Sequence, residues 1–183
     1  FDANNNNGYV NAGNDKILNL REDFTFSAWI YPTGFGPHAE HGYGRIFNKD
    51  RRMELYLERV PGVGDSSKIS HRFRYGGEFK KFRSSEAVID LNKWQQVILT
   101  FNGLLPKLYV DGEEKGFVQV SGSVIPVQEF MIQGGLDRNL LVGNRIIQDN
   151  TPVPDRVFQG KIDEFRVFNY PLIGNGIVEE FER

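Results

Sequence analysis

Short alternations of apolar and polar residues, each closed by a turn signal after about 8 to 12 residues, run through nearly the whole chain and restrict its fold more than any other feature. The cleanest case is Phe24-Thr25-Phe26-Ser27-Ala28-Trp29-Ile30-Tyr31. A period of two puts Phe24, Phe26, Ala28 and Ile30 on one face and predicts a strand that ends at Pro32. Residues 8–12 read as a short first strand, and 14–21 as a turn-rich crossing that plants Ile17 and Leu18 in the core. Residues 45–49 and 53–58 make a strand pair, and 69–75 and 79–83 flank the hairpin signal Gly76-Gly77-Glu78. Residues 94–101 pair with 107–110, and the type I′ signal Asp111-Gly112 returns the chain through 114–118. Helical spacing occurs only in 173–181, with Ile177, Val178 and Phe181 on one face. The pattern predicts an all-β chain of two antiparallel sheets packed face to face, with a short C-terminal helix.

The late stretch 158–170 carries a break in that rhythm. Its apolar residues fall at Phe158 and Ile162, then at Phe165 and Val167, so the alternation slips across Asp163 and Glu164. A slip of one residue predicts a β-bulge, which re-aims a side chain. Near the other end lie Asp2, Asn4 to Asn7 and Gly8, a run rich in oxygen donors. The two ends are expected to meet, with Asp2, Asn7, Gly8 and Asp163 holding a structural Ca²⁺, an ion that takes six to eight oxygen ligands. The competing reading has Asp163 capping a turn or pairing with Arg166 or Lys161.

At 183 residues the chain suits one domain. Its 15 Phe and 20 Gly favour short strands and tight turns over a helical bundle. A net charge of -2 argues against attraction to nucleic acid as a whole. The absence of cysteine rules out a disulfide framework, so stability must come from the core, helped by a metal. No apolar run reaches the roughly 18 residues that membrane insertion would need. Starting at Phe1, with neither initiator Met nor signal peptide, the sequence reads as a domain of a longer polypeptide.

Two groups of polar residues stand out. Glu54, Tyr56 and Glu58 alternate with Leu55 and Leu57 and so share one strand face. Arg72 and Arg74 share a face of the next hairpin, and they point outward if Phe73 and Tyr75 fill the core. An arginine fork suits a carboxylate or sulfate, so an acidic glycan is a candidate partner. Trp29 and Tyr31 lie opposite the apolar face of their strand and are expected to join Tyr56 and the two arginines on one outer surface, an aromatic platform beside polar groups. Packing beneath loops is the competing role for Trp29, and Trp94 is expected in the core.

The order of these blocks resembles the laminin G-like jelly roll of the concanavalin A-like superfamily. The blocks that carry the likeness are Phe1-Asp2, Gly8-Tyr9-Val10, the strand of Trp29, residues 45–49, 94–101, Leu108-Tyr109-Val110-Asp111-Gly112, Leu141-Val142-Gly143 and 158–169. The resemblance implies a two-sheet jelly roll, a structural Ca²⁺ involving Asp2 and Asp163, and a binding module appended to a secreted or cell-surface protein. The expected function is non-catalytic carbohydrate binding or adhesion, with a polysaccharide or glycoprotein glycan as partner. Two alternatives are a protein-interaction or spacer domain and a glycoside hydrolase using Glu54 and Glu58. Against the last, residues four apart on a strand lie roughly 13 Å apart at Cα, whereas a retaining pair of carboxyls lies about 5 to 5.5 Å apart. The acid that glucanases of the superfamily carry between their two glutamates is here Tyr56. Residues 33–43 and 120–137 depart from the family pattern as long insertions.

Overall fold

The computed structural model describes residues 1, 8–36, 42–50, 52–62, 64–123, 125, 132, 134, 137–145 and 156–183. Among them, thirteen strands form two antiparallel sheets. The larger sheet runs β1 (Val10–Asn11), β12 (Leu140–Val142), β3 (Arg45–Lys49), β4 (Met53–Arg59), β5 (Ser66–Tyr75), β6 (Glu78–Ser84) and β11 (Phe117–Ser121), with β7 (Ile89–Asp90) paired to β5. The smaller runs β10 (Glu113–Lys115), β9 (Lys107–Val110), β8 (Gln95–Asn102), β2 (Asp23–Gly34) and β13 (Gln159–Phe168). Helix α1 (Asn175–Glu182) lies against the outside of the smaller sheet through Ile177, which packs with Ile98 and Tyr109. This is a jelly-roll β-sandwich.

The period-two pattern decides which faces meet. Phe24, Phe26, Ala28 and Ile30 of β2 point inward against Phe47 of β3, Leu55 and Leu57 of β4 and Phe73 of β5. Phe26 stacks on Phe47 across the sandwich with ring centroids 4.0 Å apart. Each such buried aromatic contributes on the order of 1.5–3 kcal/mol of transfer free energy, so the phenylalanine-rich core carries the fold. Tyr75 faces Glu78 around Gly76 and Gly77, whose φ values of 62° and 81° make the tight hairpin turn that fixes the β5–β6 register.

The slip in β13 is a bulge. Asp163 pairs with Trp29 and Arg166 with Ser27, which leaves one extra residue on β13, and Glu164 takes a positive φ of 48°. The chain end does meet this strand, through a single residue. Phe1 N–H donates to the Gly160 carbonyl at 2.8 Å, and Gly160 N–H donates to the Phe1 carbonyl at 3.0 Å. The first strand itself does not follow, because β1 pairs with β12 at the edge of the larger sheet.

Three sequence expectations are corrected. Pro32 does not end β2, which continues to Gly34. The β8 ladder stops at Ile30, so no partner on that side needs the N–H that proline lacks. Ile17 is 66 % exposed, and Leu20 takes the core position of that crossing. Trp94 is 43 % exposed and rests on Tyr31 at 5.6 Å instead of entering the core.

The two sheets are also joined by the chain itself. β10 edges the smaller sheet and β11 the larger, with only Gly116 between them. Gly116 accepts a hydrogen bond from Ser85 N–H at 2.8 Å, and a Cβ there would lie 2.5 Å from Ser85 Oγ. No helix of the described residues is long and apolar enough to cross a membrane.

Candidate functional site

The outer face of β3 to β6 gathers most of the polar residues singled out from the sequence. Direct pairing aligns Asn48, Glu54, Arg72 and Lys81 in one row across four strands, and Arg45, Tyr56, Ser70 and Arg83 in the next. Residues directly opposite in an antiparallel sheet have side chains in contact, so each row works as a unit.

Glu54 is the centre of the first row. Its two oxygens lie 2.7 Å from Arg72 Nε and 2.9 Å from Arg45 Nε, and Asn48 Nδ2 donates to it at 3.1 Å. Burial works to raise this carboxyl, yet Arg45 and Arg72 beside it hold it below the ordinary carboxylate range. Glu58 anchors the second cluster. Ser70 Oγ donates to it at 2.5 Å, Lys81 Nζ lies at 2.8 Å and Arg83 Nη1 at 3.2 Å. Burial again opposes its ionisation, and the hydrogen bonds from Lys81 and Ser70 outweigh it.

Tyr56 lies on this face but is only 4 % exposed. Arg45 sits over its ring at 4.1 Å, and Tyr43 packs against it edge-on at 5.6 Å. The ring is therefore a sealed support for cations and not an open sugar platform. Arg72, Lys81 and Arg83 are the partly exposed members, with Arg72 lying over Phe79 at 4.4 Å. Arg74 is further along β5 beside the hairpin turn, its Nη2 3.4 Å from the Gly77 carbonyl.

Trp29 is not part of this surface. It lies on β2 in the opposite sheet and stacks on Phe181 of α1 at 5.7 Å, while Tyr31 rests on Trp94. The expectation of one platform shared by Trp29, Tyr56 and the arginines fails because β2 and β4 belong to different layers, whose outer faces point away from each other. Sequence reasoning leaves out Arg45, Asn48 and Ser70, and it sees Lys81 and Arg83 as cations of the charged hairpin without placing them in the site. The turn at Gly76-Gly77 supplies their places: a two-residue turn sets Lys81 opposite Arg72, and the same count brings Arg83 opposite Ser70.

Of the residues expected to hold a metal, Asp2 and Asn7 lie outside the described residues. Gly8 is half-buried and Asp163 is exposed on the bulge, its Oδ1 accepting from Glu164 N–H at 2.8 Å. Among the described residues no group of three or more His, Cys, Asp or Glu side chains is placed to hold a metal ion.

Among curated proteins, none matches the sequence. Solved structures with the same fold include the Ruminococcus gnavus IT-sialidase CBM40 bound to alpha2,3 sialyllactose, 15 % identical with a TM-score of 0.60 over 92 % of this chain and 91 % of that one. A second is domain 4 of AbnA, a GH43 extracellular arabinanase from Geobacillus stearothermophilus, in complex with arabinotriose, 17 % identical with a TM-score of 0.56 over 90 % of this chain and 68 % of that one. A third is the binding domain of Paraclostridial Mosquitocidal Protein 1, 16 % identical with a TM-score of 0.68 over 99 % of this chain and 42 % of that one. The profile of a laminin G family described as concanavalin A-like lectin/glucanases superfamily matches residues 4–177, nearly the full length, and the chain belongs to that family.

Proposed function

We propose that this chain is a non-catalytic carbohydrate-binding module of a secreted or cell-surface protein, and that it binds its glycan on the outer face of β3 to β6. The observation that carries the reading is the use made of the two acids on β4. Glu54 and Glu58 are each enclosed by cations and held below the ordinary carboxylate range, so they orient donors. A glycosidase needs one carboxyl raised to serve as acid. Both glutamates here are pushed the other way, which weighs against hydrolysis. Arabinotriose and sialyllactose in the complexes of two structural relatives support a sugar as the partner class. The test is a glycan-binding panel run beside an oligosaccharide turnover assay. Saturable binding without turnover is expected, while turnover that disappears in Glu54→Gln would establish the hydrolase instead.

A structural Ca²⁺ belongs to the same proposal. Asp163 keeps Oδ2 without a partner among the described residues, and the backbone of Phe1 is fixed to Gly160, three residues along the same strand. Asp163 with Asp2, Asn7 and Gly8 would supply the carboxylate and carbonyl oxygens that this ion takes.

A protein-interaction role is favoured by a different feature. A groove of about 410 Å³ opens between α1 and the outside of β8 to β10, lined by Leu105, Ile173 and Val178 beside Lys107 and Glu114. A neighbouring domain of the same polypeptide seated there would protect α1 from limited proteolysis, and unchanged cleavage would remove this role.

A further inference from the structure

The partly exposed cations of the candidate face spend only part of their donors on the two acids beneath them. Arg72 Nε is ion-paired with Glu54 at 2.7 Å and the guanidinium carbon lies 4.4 Å from the centre of the Phe79 ring, while its two terminal nitrogens have no partner among the described residues. Among the described residues Arg83 is engaged through Nη1 alone, by Glu58. Since Arg72 faces Lys81 and Ser70 faces Arg83, the two arginines are diagonal neighbours across β5 and β6. Such neighbours stand about 7–8 Å apart at Cα, a span that long side chains close around one small group. Lys81 completes the triangle, its Nζ 2.8 Å from Glu58.

The charges on this face do not cancel. Among the described residues, Arg45, Arg72, Lys81 and Arg83 contact two acids, Glu54 and Glu58, an excess of two positive charges. Behind them Arg45 is 4 % exposed, and its Nη1 is buried with no hydrogen-bond partner. Surplus cations with unused donors, one of the cations buried and three partly exposed, call for an anion, and a planar guanidinium fork matches a carboxylate. We propose that Arg72, Arg83 and Lys81 receive a carboxylate carried by the sugar, so that the partner is an acidic glycan. The inference rests on the carbohydrate-binding reading and narrows it to one ligand class.

The test is calorimetric titration of the folded protein with polygalacturonate, 3′-sialyllactose, methyl-esterified pectin, lactose and arabinan. Binding to at least one carboxylated probe is expected, with affinity that falls as salt rises and is absent for the neutral probes. Arg72→Gln and Arg83→Gln should each weaken it about tenfold or more, as loss of a charge-assisted hydrogen bond does. Arg72→Lys should recover only part of the loss, because the charge returns without the fork. The two acidic probes separate uronate from sialate as the source of the carboxylate. If neutral probes bind equally well, or if both glutamine variants bind as the parent does, the acidic specificity is wrong while the carbohydrate-binding reading stands. If no glycan of either kind binds, both are wrong. Thermal melting checks that the variants fold, and Arg83→Gln, at a side chain 36 % exposed, carries the test if Arg72→Gln does not.

Discussion

Glu54 and Arg72 face each other directly across β4 and β5, joined at 2.7 Å, while the second oxygen of the same carboxylate reaches the buried Arg45 at 2.9 Å. One acid thus neutralises an interior cation and aims an outer one. Glu54→Ala would strand Arg45 without its counter-charge, and a loss of about 3–5 kcal/mol is expected in urea unfolding. Glu54→Gln, which keeps a hydrogen-bonding side chain of the same shape, should cost less. Equal stability of both variants and the parent would show that Arg45 does not depend on this carboxylate.

His71 sets a pH window. It points into the sandwich, fully buried, with Nδ1 2.9 Å from the Glu54 carbonyl and Nε2 buried without a partner. Burial pulls its pKa down to about 4, against the ordinary value of 6.5. The unfolded chain therefore binds the proton more readily, so the contribution of neutral His71 is complete above pH 6.5 and is lost as pH falls towards 4. The loss approaches about 3 kcal/mol at the low end. Between about pH 5.5 and 6.5, above the range where the glutamates of the unfolded chain take up protons around their ordinary value of 4.5, the urea midpoint of the parent should decline and that of His71→Phe should stay flat.

Trp29 stacks on Phe181, away from the candidate face. Trp29→Ala should loosen α1 and destabilise the protein by about 2 kcal/mol through lost packing. Glycan affinity should be unchanged. A parallel loss of affinity in a folded variant would return Trp29 to the binding surface.

Gly160 joins the chain start to β13 at φ 130°, and a Cβ there would lie 2.0 Å from the Tyr31 carbonyl oxygen. Backbone strain and this clash together predict that Gly160→Ala costs about 2–3 kcal/mol. The amide of Gly160 should then lose its protection in hydrogen exchange, since its bond to Phe1 requires the present geometry.

Chelation tests the Ca²⁺. An ion at a hundredfold excess over its Kd stabilises by about 2.7 kcal/mol. For a chain of this size that corresponds to roughly 5–10 °C in Tm. Chelator should lower the melting point by that order, and Asp163→Ala should remove the response. A parent protein that melts identically with and without chelator carries no such ion.

Much of the fold was legible because a period of two is a local signal. Phe24 to Ile30, Gly76-Gly77 and Asp111-Gly112 each declare their geometry within a few residues, and the broken rhythm at Asp163 and Glu164 located the bulge. Pro32 misled because its tolerance depends on where the neighbouring β8 ladder stops, which is a tertiary fact. The same limit governs the site. Strand parity put Glu54, Tyr56 and Glu58 together, but parity does not say which sheet a strand joins. Parity therefore groups Trp29 with residues across the sandwich and leaves Tyr56 open, although Arg45 and Tyr43 cover it.

Gly116 carries the chain from one layer to the other in a single step, so β10 and β11 form a common hem for both sheets. Neither layer can peel back from that border without dragging its counterpart along. The sandwich should consequently come apart there as one cooperative unit, with amides on both sides of the hem opening together.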